Sequence, residues 1–458
     1  MKKHSITLVT TLSFIIIILS ALLIGNIADN FRALIRILEA PGILLSDFIS
    51  INRGYGGVLN GLVLNMFLTV GLNLLLIKIF KVPLRGSIIA GIFTVAGFTF
   101  FGKNVWNALP IYLGVFLYAK FKKVKIKDIM PTILLSSGIS PVTSFLIFGC
   151  GVAHIPLGIR LPISIIAGII VGFLIPIISP QALKFHDGFN LYNTGFTMGL
   201  LAVVVHGFLR SFGIHVRFVG VPLVDYPDYT WQIMSALTIL SVGLVILAFA
   251  LDKNVLEKYK LILKETGQLA SNFSDLAGQP AVILNMGIMG LMTLILIIPL
   301  LIILEIPFLA VLGGATLTVM GFAAFGKHPL NALPIIIGTL IGFFVYRAID
   351  SQFMLLNPTD SAYGAYISSL NIHVFVSGIF FATCLSPISK KYGIVAGIIT
   401  GFVHVTIVML VRSFQGGFDL YNNGFAAGFV GGILVPIFEA FQKKPKEKIN
   451  REPLTTIK

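Results

Sequence analysis

The residues best suited to chemistry come in two matched sets. Lys103 and Asn107 lie in Gly-Lys-x-x-x-Asn-Ala-Leu-Pro, and Lys327 and Asn331 repeat that motif. Asparagine is a good helix N-cap and proline suits a first turn, so helices are expected to begin at Asn107 and Asn331. Their unpaired N–H groups and positive dipole ends would face the lysines, a combination that favours an anionic or strongly dipolar solute. The plain alternative is a surface turn carrying a solvated lysine.

The second set is Gly188–Gly199, Gly-Phe-Asn-Leu-Tyr-Asn-Thr-Gly-Phe-Thr-Met-Gly, echoed at Gly417–Gly428 with eight of twelve positions identical. Tyr192-Asn193 and Tyr421-Asn422 each offer a phenol and an amide at the mouth of an apolar run. Gly195/Gly199 and Gly424/Gly428 permit close backbone approach or helix packing. The copies differ at Asn190/Asp419 and His186/Gln415. Asp419 is therefore the one acidic group at a candidate site, able to carry a proton or cation, or else a solvated loop carboxylate.

Enzyme signatures are missing. The chain has no Gly-x-Ser-x-Gly, His-Glu-x-x-His, phosphate-cradling Gly-x-x-x-x-Gly-Lys-Ser/Thr or Cys-x-x-Cys, so neither enzymatic activity nor a cofactor is expected. Cys150 and Cys384 lack metal-ligand spacing and read as packing residues. His206, His373 and His404 fall within apolar runs, where a histidine satisfied by a neighbouring helix is the common case.

The elements that hold these residues are membrane segments. The chain of 458 residues is 56% hydrophobic and 11% charged, with mean hydropathy +0.97, where a soluble protein carries about a quarter charged residues. Basic residues number 33 against 18 acidic. They sit in short inter-helix loops, the pattern of a membrane protein and not of a nucleic-acid partner. Apolar runs of membrane-spanning character occupy 5–25, 57–80, 84–101, 107–119, 130–153, 158–179 and 194–213. A second set occupies 231–251, 280–303, 306–325, 331–346, 361–387, 391–411 and 424–442. The first run lacks a cleavage site and is expected to be retained as a helix. Asn30–Ser50 and Lys253–Phe273 are amphipathic and read as interfacial helices. The fifth run holds Ser136, Ser137, Ser140, Pro141, Thr143 and Ser144, and should break near Pro141. Ser368, Ser369, Asn371 and His373 are its expected counterpart.

The two sets are copies. Gly97–Gly114 matches Gly321–Gly338 at eleven of eighteen positions, Leu64-Asn65-Met66 matches Leu284-Asn285-Met286, and Ala167-Gly168 matches Ala396-Gly397. The order is kept while the offset drifts only from 220 to 229, which shared composition alone would not preserve. With the N-terminus in the cytoplasm, the richest basic loops, such as Lys120–Lys127, Lys253–Lys264 and the tail Lys443–Arg451, all fall inside. An odd number of crossings per half then makes the copies inverted repeats. Thirteen residues from Asn107 to Ala119 cover roughly 20 Å against a core of about 30 Å. Segments 84–101 and 107–119 therefore read as a candidate re-entrant hairpin with its tip at Gly102-Lys103-Asn104, which leaves the count odd.

With these motifs in both halves, the chain resembles an uncharacterised family of bacterial multi-pass membrane proteins, a resemblance that covers nearly its whole length and implies no substrate. More distantly, each half is similar to the urea-transporter pattern of an Asn-Pro helix start followed by an aromatic-Asn-Gly start. Two apolar segments separate these motifs here, where that pattern has one.

The expectation is an all-α integral membrane protein of about fourteen segments in two inverted-topology repeats: residues 1–228, residues 229–442, and a basic cytoplasmic tail over 443–458. It is expected to lie in the cell inner membrane with both termini cytoplasmic. The expected function is transport of a small polar or anionic solute at the repeat interface by Lys103, Asn107, Tyr192, Asn193, Lys327, Asn331, Tyr421, Asn422 and Asp419. The expected partners are a small-molecule solute and the lipid bilayer, without nucleic acid; a homo-oligomer is compatible with the sequence. The competing class is a non-transport membrane protein, either a scaffold or an intramembrane enzyme acting on lipid.

Overall fold

The structure is a computed structural model that describes residues 27–42, 58–216, 230–268, 271–304, 308, 310–356 and 376–442. The described residues form helices and connecting turns without strand. In the first half these are α1 (Ile27–Leu38), α2 (Val58–Ile79), α3 (Gly86–Phe98), α4 (Val105–Lys122), α5 (Ile126–Ser136), α6 (Pro141–Phe148), α7 (Leu157–Phe185) and α8 (Asn193–Ser211). In the second they are α9 (Thr230–Leu251), α10 (Val255–Lys264), α11 (Phe273–Ala277), α12 (Gln279–Leu304), α13 (Ala310–Phe322), α14 (Pro329–Leu356), α15 (Ser386–Tyr392), α16 (Ile394–Gln415) and α17 (Asn422–Phe441). The protein is an all-helical, multi-pass membrane protein. Among the described residues eight helical stretches are long and apolar enough to cross a bilayer, and Gly86–Phe101, Ala310–Phe322 and Ile394–Val408 are shorter apolar helices.

Glycines set how closely the helices approach. α4 packs on α7, and α14 packs on α16. A Cβ on Gly172 would strike the Ile111 carbonyl, and one on Gly401 would strike that of Ile335, so the same crossing is built twice. The equivalent helices α3 and α13 also pack on each other. Gly86 faces Ala324, Gly321 faces Phe93 and Ala90, and Gly97 faces Gly314. Rising numbers on one helix meet falling numbers on the other, so these two run antiparallel.

Some expectations shift. α4 extends beyond 107–119 to Val105–Lys122, long enough for about 27 Å. The fifth segment does break at Pro141: a 3-10 turn, Ser137–Ile139, separates α5 from α6. Ser368, Ser369, Asn371 and His373 lie outside the described residues, as do 5–25 and the tail. A 3-10 turn, Ala382–Leu385, running into α15 holds the place opposite Ser137–Ile139 and α6. Lys253–Phe273 is not one amphipathic helix: α10 ends at Lys264, residues 265–268 and 271–272 are not helical, and Phe273 begins α11. Cys384 is buried and Cys150 exposed.

Candidate functional site

The two Gly-Lys motifs form hairpin tips inside the protein. Gly102 and Gly326 turn the chain in the left-handed region, at φ +97° and +101°, where glycine is at ease. Lys103 and Lys327 follow them, both with 0% exposure. A buried amide anchors each tip. Asn65 of α2 donates to the carbonyls of Thr99 (3.2 Å) and Lys103 (2.7 Å), and Asn285 of α12 donates to those of Ala323 and Lys327 (both 2.7 Å). Asn65 is the eighth residue of the described helix, so the first tip stands roughly 10 Å inside its end.

Asn107 and Asn331 are not the N-caps. Asn104 caps α4, and Asn107 closes a reciprocal box with it: the Asn107 N–H donates to Asn104 Oδ1 (3.0 Å), and the Asn104 N–H donates to Asn107 Oδ1 (2.9 Å). His328 takes the same role for Asn331, with its N–H donating to Asn331 Oδ1 (2.9 Å). The remaining amide donors bind the tip glycine carbonyls, Asn107 to Gly102 (3.1 Å) and Asn331 to Gly326 (2.9 Å). The polar atoms of both side chains are thus engaged in holding the hairpins. Pro110 and Pro334 consequently lie inside the helices rather than in the first turn.

The lysines reach across the molecule. Lys327 Nζ donates to Tyr192 Oη (2.7 Å) and to Thr383 Oγ1 (2.8 Å), and Lys103 Nζ donates to Tyr421 Oη. Each ammonium also lies over the ring of the tyrosine it bonds, 4.5 Å from the Tyr192 centroid and 4.7 Å from that of Tyr421. The aromatic neighbours repeat too. Tyr192 meets Phe322 edge-on at 4.6 Å, and Tyr421 meets Phe98 at 4.3 Å. Among the described residues no carboxylate stands within ion-pair distance of either lysine.

The helix starts of α8 and α17 press together where these bonds cross. A Cβ on Gly195 would lie 2.9 Å from Tyr421 Cβ, and one on Gly424 would lie 2.9 Å from Tyr192 Cβ. Between them is a cavity of about 20 Å³, lined by Thr94, Thr318, Phe98, Phe322, Tyr192 and Tyr421 among others. That is room for roughly one water-sized group. Thr318 Oγ1 bonds its own helix at Gly314 O (2.9 Å), whereas the buried Thr94 Oγ1 has no partner among the described residues.

The other expected site residues are placed differently. Asn193 turns away to His186 Nε2 (3.0 Å) and Ser179 Oγ (2.9 Å). Asn422 Oδ1 accepts from Asn423 (3.1 Å), and Asn423, not Asn422, lines the cavity and contacts His404 (3.2 Å). Asp419 is fully buried; its Oδ1 accepts from the Tyr421 N–H (2.9 Å) and its Oδ2 from Gln415 (3.2 Å). Asn190 makes the matching bond from the Tyr192 N–H (2.9 Å) and donates to Gly424 O (2.8 Å). The structure therefore brings both tyrosines to the cavity and bonds a lysine to each hydroxyl, while Asp419 is held behind Tyr421 by its backbone N–H and by Gln415, and Asn107, Asn331 and Asn193 point into the scaffold. Thr94, Thr318, Thr383 and Asn423 were missed. The first two were within reach, because Thr94-Val-x-Gly-Phe98 and Thr318-Val-x-Gly-Phe322 extend the matched stretch by three residues.

Residues 26–211 and 251–440 match the family described as a protein of unknown function, DUF1576. The chain belongs to that family. The two matched stretches fall one in each half and contain both hairpins and both Tyr-Asn elements. No curated protein and no solved structure matches the chain, so the likeness to the urea-transporter pattern rests on motif order alone.

Proposed function

We propose that this membrane protein is a transporter or channel for a small anionic or polar solute, with its site where two inverted repeats meet. One observation carries the reading. Two fully buried lysines each bond the hydroxyl of the other half's tyrosine, those two tyrosines line the cavity, and among the described residues no carboxylate pairs with either lysine. A buried ammonium costs several kcal/mol unless opposite charge offsets it. An anion admitted as this water-sized cavity widens would supply that charge, and hydroxyls, aromatic edges and Thr94 would supply its hydrogen bonds.

Inversion is supported by the antiparallel contact of α3 with α13, since equivalent helices related by a two-fold axis along the membrane normal would run parallel. An axis in the membrane plane reverses them. The distribution of lysine and arginine favours both termini on the cytoplasmic side of the cell membrane. The tips of the two hairpins lie within the protein, the setting in which irregular backbone is tolerated at membrane depth.

Uptake by proteoliposomes tests the reading, with nitrate, iodide, thiocyanate and urea as probes. Wild-type protein should carry at least one probe faster than protein-free vesicles, and the Tyr192→Phe/Tyr421→Phe variant should carry it more slowly. Absence of uptake for every probe, or equal uptake by both proteins, would reject the assignment.

A further inference from the structure

The two halves differ most in chemistry at Asn190 and Asp419. Both residues accept the N–H two positions ahead, from Tyr192 and Tyr421, at 2.9 Å. Their second side-chain atoms diverge. Asn190 Nδ2 is a donor and reaches the Gly424 carbonyl of the facing helix start. Asp419 Oδ2 is an acceptor when ionised and takes a hydrogen bond from Gln415 Nε2 (3.2 Å). An amide and a protonated carboxyl have the same shape, and each presents one donor and one acceptor edge. Asn190 thus displays the arrangement that a protonated Asp419 would reproduce.

A second observation points the same way. Gln415 Oε1 is buried beside this carboxyl and has no partner among the described residues. Rotating the amide end would turn that acceptor toward Asp419, where only a protonated carboxyl could donate to it. The site therefore offers a hydrogen-bond set to each protonation state: Gln415 N–H to the carboxylate, and carboxyl O–H to the Gln415 oxygen. The titratable groups around it are Tyr421 on its own segment, Lys103 through the Tyr421 hydroxyl, and His206 of α8. The His206 ring stacks edge-on to Phe418 and contacts Phe414 O at 2.9 Å. Among the described residues no cation pairs with Asp419 directly.

We propose that Asp419 is the proton-carrying group of an anion–proton symporter. The inference rests on the transport reading above. Leu420 and Tyr421, the next two residues, line the cavity. An anion there would repel a neighbouring carboxylate strongly in a low-dielectric site, and a proton on Asp419 removes that repulsion. The carboxylate takes up one proton as the anion enters. Proton and anion then leave on the opposite side, which returns Asp419 to its ionised form. For a monovalent anion each cycle moves no net charge.

Proteoliposomes containing pyranine, with the membrane potential clamped at zero, test the coupling under inward gradients of nitrate, iodide or thiocyanate. Wild type should acidify the interior in step with anion uptake. Asp419→Asn, which copies the residue already accommodated at 190, should uncouple the two fluxes: the anion uptake it retains, whether or not reduced, should proceed with acidification no greater than that of protein-free vesicles. Asp419→Glu should retain some acidification. Wild-type anion uptake without acidification, or undiminished acidification in Asp419→Asn, overturns the coupling while transport stands. No anion uptake by wild type overturns the transport reading and the coupling together.

Discussion

The ammonium of Lys327 donates to the hydroxyl of Tyr192 at 2.7 Å, joining the hairpin of the second half to the helix start of the first. Lys103 and Tyr421 make the converse bond. The partners are 135 and 318 residues apart in sequence, so the pair of bonds ties the halves together beside the cavity that Tyr192 and Tyr421 line.

A double-mutant cycle measures this tie. Lys327→Met and Tyr192→Phe should each alter thermal stability in detergent, with an interaction energy of about 1–3 kcal/mol, typical of a buried bond to a charged donor. The single variant Lys327→Met leaves the Tyr192 hydroxyl unmatched, and the double variant leaves neither group wanting. Strict additivity of the two changes would mean that the bond contributes nothing.

Close contact between the helix starts gives a second prediction. Gly195→Ala places a methyl group 2.9 Å from Tyr421 Cβ and should destabilise by about 1–3 kcal/mol. Gly243→Ala on α9, where a Cβ would meet nothing within 4 Å, should instead be neutral or stabilise by about 0.5–1 kcal/mol. Comparable melting temperatures for the two variants would contradict the packing described.

Much of this could be read from the sequence, for reasons that differ between fold and site. Membrane helices show themselves as apolar runs because lipid demands them, and the paired glycines mark the crossings α4–α7 and α14–α16. Lys103, Lys327, Tyr192 and Tyr421 could be found because each motif occurs twice. Their crosswise pairing could not, since nothing local tells which lysine meets which tyrosine. Asn107 was misplaced because Asn104 caps equally well, and the choice depends on a reciprocal bond that exists only after folding. Asn193 was drawn away from the cavity by Ser179 and His186, neighbours set by the length of α7.

Membrane topology is open to direct test. Reporter fusions at Lys123 and Gly417 should report the cytoplasmic and external faces respectively: two crossings put Lys123 on the side of Gly188, the repeat equivalent of Gly417, and inverted repeats place equivalent loops on opposite sides. Both reporters on one side would replace inversion with parallel repeats and leave the antiparallel contact of α3 and α13 without a topological cause.

The most direct test of the central claim is anion flux through a protein stripped of its two buried charges. Lys103→Met and Lys327→Met remove the ammoniums while keeping apolar volume; each leaves one tyrosine hydroxyl unmatched at a cost of about 1–3 kcal/mol, so a melting transition in detergent first establishes that the double variant is folded. Reconstituted beside wild type at equal folded amount, it should lose uptake of whichever of nitrate, iodide or thiocyanate wild type carries. Undiminished uptake by the double variant would contradict a transport site built on the Lys–Tyr pairs.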